Sequence, residues 1–91
     1  MILKGTKFQI KVWKYLRNIP KGHVKTYKEV AKGINRPKSY RAVANACRKN
    51  PYAPKVPCHR VIKSDGTLGG FSGPGGIKTK KKLLKKEGFF I

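Results

Sequence analysis

A chain of 91 residues has room for one domain with a modest core, and its 38% of hydrophobic residues exclude a fully disordered protein. The 23 Lys and Arg against 3 Asp and Glu give a formal net charge of +20, which favours a polyanionic partner and above all a nucleic acid. No apolar run approaches the about 18 residues that a membrane span needs, so we expect no membrane segment.

The first predicted helix covers residues 6–18. Phe8, Val12 and Leu16 recur there at helical spacing, and Pro20 follows its end. A single apolar stripe of this kind is typical of a helix that packs one face on a core.

A short second helix is predicted from Thr26 to Gly33. Thr26 and Glu29 have the spacing of a capping box, in which each side chain accepts a hydrogen bond from a free backbone N–H near the other residue. Glycine is common where a helix ends, which favours an end at Gly33.

A third helix is predicted from Ser39 to Lys49, before Asn50 and Pro51. One of its faces is apolar and the opposite face is polar and basic. The two faces are formed by Val43, Ala46 and Cys47, and by Arg41, Asn45 and Arg48. Two short helices joined by a tight turn on a basic chain predict a helix-turn-helix.

A β-hairpin is predicted in residues 60–71. Apolar positions lie on either side of Asp65 and Gly66, a pair that is typical of tight hairpin turns. This hairpin would form a wing beside the helix-turn-helix.

A fourth helix is predicted in residues 77–88, with Ile77, Leu83 and Leu84 facing the core and the lysines facing solvent. The expected fold class is therefore mainly α. We expect a winged helix-turn-helix-like DNA-binding domain with a short β-hairpin, formed by residues 1–91 as a single domain.

Two cysteines leave a disulfide and a metal site to consider. Cys47 falls in a predicted helix and nothing indicates export, so we expect no disulfide. His23, Cys47, Cys58 and His59 have none of the paired spacings that place zinc ligands around one ion, so we also expect no metal.

Cys58, His59 and Arg60 place a thiol, an imidazole and a guanidinium in consecutive positions. A nearby cation or base favours the thiolate, which is the nucleophilic form of cysteine. The alternative is a buried cysteine in a strand beside a surface histidine, since neighbouring side chains in a strand point to opposite faces. These three residues alone leave both interpretations open.

Six short motifs are spread along the chain. They are TY at 26–27, YRAVANA at 40–46, KNP at 49–51, PCHRVI at 57–62, GGFSG at 69–73 and LLKKEG at 83–88. In this order they resemble the catalytic C-terminal domain of the O6-alkylguanine-DNA alkyltransferases, which are DNA repair proteins. The similarity runs from about Phe8 to Gly88, which is nearly the whole chain.

The resemblance implies that Cys58 takes the alkyl group from O6 of guanine in double-stranded DNA, irreversibly and without a cofactor. It implies that the proton of Cys58 passes through a water to His59, which Glu87 orients. O4-alkylthymine is a further candidate lesion, and we expect a monomer. The expected location is the cytoplasm of a prokaryote or the nucleus of a eukaryote.

The resemblance also implies which residues bind DNA and extrude the damaged base. Arg41 matches an arginine that enters the base stack, and Tyr27 matches a tyrosine that pushes on the adjacent phosphate. Ala42 and Ala44 match small residues on a helix in the minor groove, and Asn45 belongs to the same face. An ordinary phosphate contact is the alternative for Arg41.

Three further matches lie around the reactive cysteine. Asn50 matches an asparagine that ties the third helix to the active-site turn. Arg60 matches a largely structural arginine, and the carbonyl of the residue at Val61 helps to read the base.

The chain also departs from the family pattern. Phe71 stands where many members have a tyrosine whose hydroxyl bonds the guanine, while Ser72 and Gly73 remain available to contact O6. Ala44 replaces a customary glycine, and Tyr40 replaces a small residue before the arginine.

Most family members carry an N-terminal domain that we expect this protein to lack. Its size is then close to that of the alkyltransferase-like proteins, which bind O6-alkylguanine without repairing it and have no cysteine at the reactive position. Cys58 favours transfer over this alternative. The second alternative is a winged-helix DNA-binding protein with an inert cysteine.

Overall fold

The computed structural model describes residues 2–53, 55–69 and 75–89. This part of the chain is mainly helical, as predicted. Its elements in chain order are α1 (Lys7–Leu16), β1 (Lys25–Thr26), α2 (Tyr27–Gly33), α3 (Tyr40–Arg48), a 3-10 helix (Cys58–Arg60), β2 (Val61–Ile62) and α4 (Gly76–Lys86). The four helices lie within two residues of their predicted bounds at each end.

Capping boxes begin two of the helices. At α2 the predicted box is confirmed, because Thr26 Oγ1 accepts from Glu29 N at 3.1 Å and Glu29 Oε1 accepts from Thr26 N at 2.9 Å. Thr6 and Gln9 form the same arrangement at the start of α1, which was not predicted. Both boxes satisfy backbone N–H groups that a helix leaves unpaired at its start.

The core lies between α1, α2 and α3. Its centre is formed by the apolar residues Val12, Trp13, Leu16, Val30, Ala31, Val43, Ala46 and Cys47. Trp13 Nε1 donates to the carbonyl of Ala46 at 2.9 Å, which links α1 to α3. The predicted faces of α3 are confirmed, because the apolar face is buried while Arg41, Asn45 and Arg48 are exposed.

The predicted turn at Asp65 and Gly66 is present, but β2, the strand before it, does not pair with a strand after the turn in the residues that the structure describes. Lys63 N donates to Thr67 O at 2.9 Å, and Gly66 has a φ of +88°, which glycine adopts without strain. Val61–Ile62 pairs in parallel with Lys25–Thr26, and no strand follows the turn up to residue 69. The prediction of an antiparallel hairpin is therefore wrong here. Both side chains of β2 are buried, which suits a strand covered on both faces and not a wing in solvent.

The predicted inward face of α4 is partly wrong. Leu84 is buried and Leu83 is half-buried, as expected, but Ile77 is 56% exposed at the start of the helix. Lys80 is fully buried instead. Lys80 and Leu84 are four residues apart, so they share the face that packs on the rest of the domain. In the described ranges, none of the helices has the length and apolar character to cross a membrane.

Candidate active site and nucleic-acid interface

Cys58 begins the 3-10 helix. The alternative that it is a buried residue in a strand beside a surface histidine is therefore wrong. The backbone N of Cys58 donates to Val56 O at 2.8 Å. A 3-10 helix has about three residues per turn, so adjacent side chains do not point to opposite faces as they do in a strand. Cys58 and His59 are accordingly both buried, each with 2% exposure.

Asn50 holds the segment that leads to Cys58. Its Nδ2 donates to Val56 O at 2.8 Å, and its Oδ1 accepts from Tyr52 N at 2.9 Å. The side chain is 3% exposed and follows the end of α3 by two residues. It therefore connects the end of α3 to the turn before Cys58.

We expect Asn50→Ala to lower the free energy of unfolding by about 2–3 kcal/mol, because buried backbone groups then lose their hydrogen-bond partners. Urea denaturation measures the effect. Asn18→Ala, in an exposed loop, is the matched control and should change the free energy by less than about 0.5 kcal/mol. An equal effect of the two substitutions would contradict the assigned role of Asn50.

The carboxylate of Glu87, at the end of α4, joins His59 and Arg60. Its Oε2 lies 3.0 Å from His59 Nε2 and accepts from Arg60 Nη2 at 2.8 Å. Its Oε1 accepts from Arg60 Nε at 3.0 Å, so the guanidinium contacts both carboxylate oxygens. Arg60 Nη1 also donates to Ile19 O at 2.8 Å, which anchors the cluster to the loop after α1.

The charges of this cluster determine the form of the imidazole. The hydrogen bonds from Arg60, and then that from His59, lower the pKa of Glu87 from 4.5 to about 2. The ionised carboxylate can only accept, so His59 Nε2 carries the hydrogen and Nδ1 is the basic nitrogen of the neutral ring. Burial lowers the pKa of His59, and Glu87 opposes this effect only in part. The lowered pKa favours the neutral ring near pH 7.

Lys80 belongs to this region, although it was predicted to face solvent with the other lysines. Its Nζ donates to Val61 O at 2.7 Å and also to Leu68 O. Burial lowers the pKa of Lys80 from 10.5 to about 8, and this lowering is opposed by the coulombic effect of Cys47 and Cys58 in their thiolate forms. The carbonyl of Val61, expected to help read the base, therefore accepts a hydrogen bond from an ammonium group. Arg60 was expected to be largely structural, and its contacts with Glu87 and with the carbonyl of Ile19 are of that kind.

An open cleft of about 310 Å³ lies beside α3. It brings together four of the five residues that were predicted to bind DNA, whereas Ala42 is exposed on α3 outside the cleft lining. The residues that line it are Tyr27, Arg41, Ala44, Asn45, Arg48, Lys63 and Gly69. Three of these seven residues are cationic, which suits a surface for phosphate groups.

Tyr27 lines this cleft and also lies near the thiols of Cys47 and Cys58. It is 8% exposed, and burial raises its pKa, with smaller effects from the neighbouring thiols of Cys47 and Cys58. Gly69 has a φ of +72°, and a Cβ there would lie 2.7 Å from the Tyr27 hydroxyl oxygen. A larger residue at position 69 would therefore displace the phenol.

The remaining predictions for the site concern three residues of the loop after Gly69, a metal site and a disulfide. Phe71, Ser72 and Gly73 lie outside the described residues. Among the residues that the structure describes, no group of three or more His, Cys, Asp or Glu is arranged to hold a metal ion. Cys47 and Cys58 are separate buried thiols and do not form a disulfide.

The chain is similar to known proteins over more than nine-tenths of its length. It is 51% identical over 84 residues to a methylated-DNA--protein-cysteine methyltransferase of Methanosarcina barkeri, covering 92% of this chain and 52% of that protein. The crystal structure of Mycobacterium tuberculosis OGT in complex with DNA superposes with a TM-score of 0.89 at 48% identity, covering 94% of this chain and 52% of that one.

A smaller protein is also similar. Atl1 of S. pombe, in complex with damaged DNA containing O6-carboxymethylguanine, superposes with a TM-score of 0.81 at 34% identity. That match covers 94% of this chain and 80% of Atl1. The chain thus spans about half the length of the methyltransferases above and most of the length of Atl1.

The family assignment rests on nearly the whole chain. Residues 7–89 match the family model described as "6-O-methylguanine DNA methyltransferase, DNA binding domain". This range contains the helix-turn-helix, the segment around Cys58 and the Glu87 cluster. The chain therefore belongs to the 6-O-methylguanine DNA methyltransferase family.

Proposed function

We propose that this protein repairs DNA by transferring an alkyl group from O6 of guanine to Sγ of Cys58. The observation that carries the proposal is the 3.0 Å contact between His59 Nε2 and Glu87 Oε2. His59 directly follows Cys58 in the chain. This arrangement gives a buried thiol a neighbouring base whose tautomer is determined by a carboxylate. A nucleophile, a base and an orienting group of this kind form the usual arrangement for covalent catalysis by a side chain.

The proposed reaction is a displacement at carbon. The thiol proton of Cys58 passes through a water to Nδ1 of His59, and the charge of Glu87 stabilises the resulting imidazolium. The thiolate attacks the alkyl carbon, so a C–S bond forms while the bond between that carbon and O6 breaks. The guanine leaves with the electron pair of the broken C–O bond and takes up a proton from water. The imidazolium of His59 returns its proton to water, so the thiol proton is accounted for. The thioether is stable, so each protein molecule reacts once.

The buried position of Cys58 requires that the damaged base leaves the duplex. Rotating a nucleotide out of the stack costs a few kcal/mol, which new contacts to the protein must offset. Arg41 is exposed on α3, and Tyr27 lines the same cleft and lies near the thiols. We assign Arg41 to the vacated position in the stack and Tyr27 to the adjacent phosphate.

The proposal places catalysis and DNA binding in the same 91 residues, because the cleft and the Cys58 region both lie within them. We propose that the protein is a monomer and that each molecule reacts once. We place it in the cytoplasm of a prokaryote or the nucleus of a eukaryote. O4-alkylthymine is a second candidate lesion, to be compared in the assay below.

Incubation with a duplex that contains O6-methylguanine tests the proposal. We expect the tryptic peptide of residues 56–60 to gain the mass of one methylene group, in proportion to the protein added. Cys58→Ala should abolish this gain and still bind the lesion, whereas Cys47→Ala, the matched cysteine control, should retain the gain. Lesion-selective binding without any gain would instead indicate a sensor, and no preference for the lesion would indicate a general DNA-binding protein.

A further inference from the structure

We propose that Tyr40 is a stacking platform for an unpaired nucleobase, in a second cleft on α3 next to the one assigned to base extrusion. The identity of the ligand as DNA rests on the proposed function. The inference adds a contact that the catalytic cluster does not supply, and it concerns a position where the family usually has a small residue.

Tyr40 is a large aromatic residue that stays outside the core. It is the first residue of α3 and is 36% exposed, whereas Tyr27 is buried and Tyr52 packs against Trp13. Its immediate neighbour is Arg41, which is exposed on the DNA-binding face. An exposed aromatic ring among cationic side chains is the usual means of binding single-stranded nucleic acid, because every base has a face that can stack.

The ammonium group of Lys28 lies against the ring of Tyr40. Lys28 Nζ, from α2, lies 5.4 Å from the ring centroid, a cation–π geometry. This contact joins the two helices of the helix-turn-helix at their surface. It reduces the freedom that the ring would lose on binding, so the ring is prepared for a ligand.

A cleft of about 390 Å³ opens beside this ring. Its lining combines apolar surface with a hydroxyl and a carboxylate from the turn after β2. The residues that line it are Tyr27, Lys28, Tyr40, Arg41, Ala44, Lys63, Ser64 and Asp65. Four residues border both this cleft and the first one: Tyr27, Arg41, Ala44 and Lys63.

The second cleft differs from the first in having an acidic group, Asp65, beside its three cations Lys28, Arg41 and Lys63. Asp65 is one of only three acidic residues in the chain, and its carboxylate disfavours a phosphate directly beside it. Oδ1 of Asp65 accepts from Thr67 N and Thr67 Oγ1. The other carboxylate oxygen and the hydroxyl of Ser64 can accept hydrogen bonds from base amino groups. The ring of Tyr40 and the methyl group of Ala44 provide apolar surface for the flat faces of the base.

Binding to an undamaged single-stranded oligonucleotide tests the inference. We expect Tyr40→Ala to weaken this binding about tenfold, and Tyr40→Phe, which keeps the ring, to stay within about twofold of the unsubstituted protein. The slope of log affinity against log salt should be the same for all three, because no charge is removed. Binding to an undamaged, fully paired duplex should change less than about twofold, because its bases are already stacked.

Two lysines on α2 test whether the cation positions the ring. Lys28→Gln should weaken single-strand binding by about threefold through release of the ring, and Lys32→Gln, which removes the same charge one turn later, should have a smaller effect. The inference is overturned if Tyr40→Ala binds single strands normally, if it weakens duplex binding equally, or if Tyr40→Phe is as weak. The oligonucleotide carries no lesion, so this result does not depend on whether Cys58 is alkylated.

Discussion

Replacing Glu87 by Gln is expected to slow alkyl transfer on the order of 100-fold, through the orientation of His59. The carboxylate accepts three hydrogen bonds on two oxygens, one from His59 and two from Arg60. The amide of Gln at position 87 has only one accepting oxygen. Its NH2 group would face the N–H groups of His59 or Arg60, with which it cannot form a hydrogen bond. The imidazole then loses the contact that keeps the hydrogen on Nε2. The rate is measured in single turnover, with protein in excess over a duplex containing O6-methylguanine.

Glu29→Gln is the matched control for this substitution. Glu29 is exposed in the capping box of α2 and is distant in the chain from the cysteine, so we expect a transfer rate within about twofold of the unsubstituted protein. Equal rates for the two variants would contradict the orienting role of Glu87. A loss of rate in Glu87→Gln with unchanged lesion binding would support it.

The same substitution should change how stability depends on pH. Because the pKa of Glu87 is about 2 in the folded protein and ordinarily 4.5, its stabilising effect is complete above about pH 4.5 and is lost as the pH falls towards 2. Glu87→Gln should therefore cost about 2 kcal/mol at pH 7 and much less at pH 2. Urea denaturation at the two pH values measures this difference. A cost that is independent of pH would exclude ionisation of Glu87 as the cause.

Replacing Lys80 by Ala is expected to lower the free energy of unfolding by about 3–4 kcal/mol, a large part of the stability of a small domain. The side chain is fully buried, and its removal leaves a cavity and takes a donor from the carbonyls of Val61 and Leu68. Thermal and urea denaturation measure the loss. Lys82→Ala, exposed on the same helix, is the control and should change little.

Lys80→Met separates packing from hydrogen bonding. Methionine fills most of the volume, so we expect a smaller cost of about 1–2 kcal/mol and a protein that remains folded. Its transfer rate should still fall about tenfold, because the carbonyls and the nearby thiols lose a cation. A folded Lys80→Met variant with the full transfer rate would show that Lys80 contributes volume alone.

The helices could be predicted from the sequence because their signals are local. The capping box of Thr26 and Glu29 acts over three residues, and the apolar face of α3 repeats at helical spacing. The partner of β2 could not be predicted in this way. Val61 pairs with Lys25, which lies far earlier in the chain, and that choice depends on which surface buries both faces of the strand.

Lys80 shows where a charge pattern misleads. Six lysines in residues 78–86 indicate a solvated helix face, and most of them are exposed. The spacing to Leu84 was in the sequence and placed Lys80 on the inward face. Whether a lysine can be buried there depends on carbonyl groups from other segments, and these come within reach only in the folded chain.

The sequence by itself determined the four helices, the strongly basic charge and the position of Cys58 next to a possible base. The pairing of Glu87 with His59 was implied only by the family resemblance, and only the tertiary structure showed that the same carboxylate also contacts Arg60. The two partners lie 28 and 27 residues away in the chain. The tertiary structure also decided that Lys80 is buried and that Tyr40 stays exposed. Helix formation depends on neighbours within a few residues, whereas the partner of a charge and the burial of a ring depend on which distant surfaces meet.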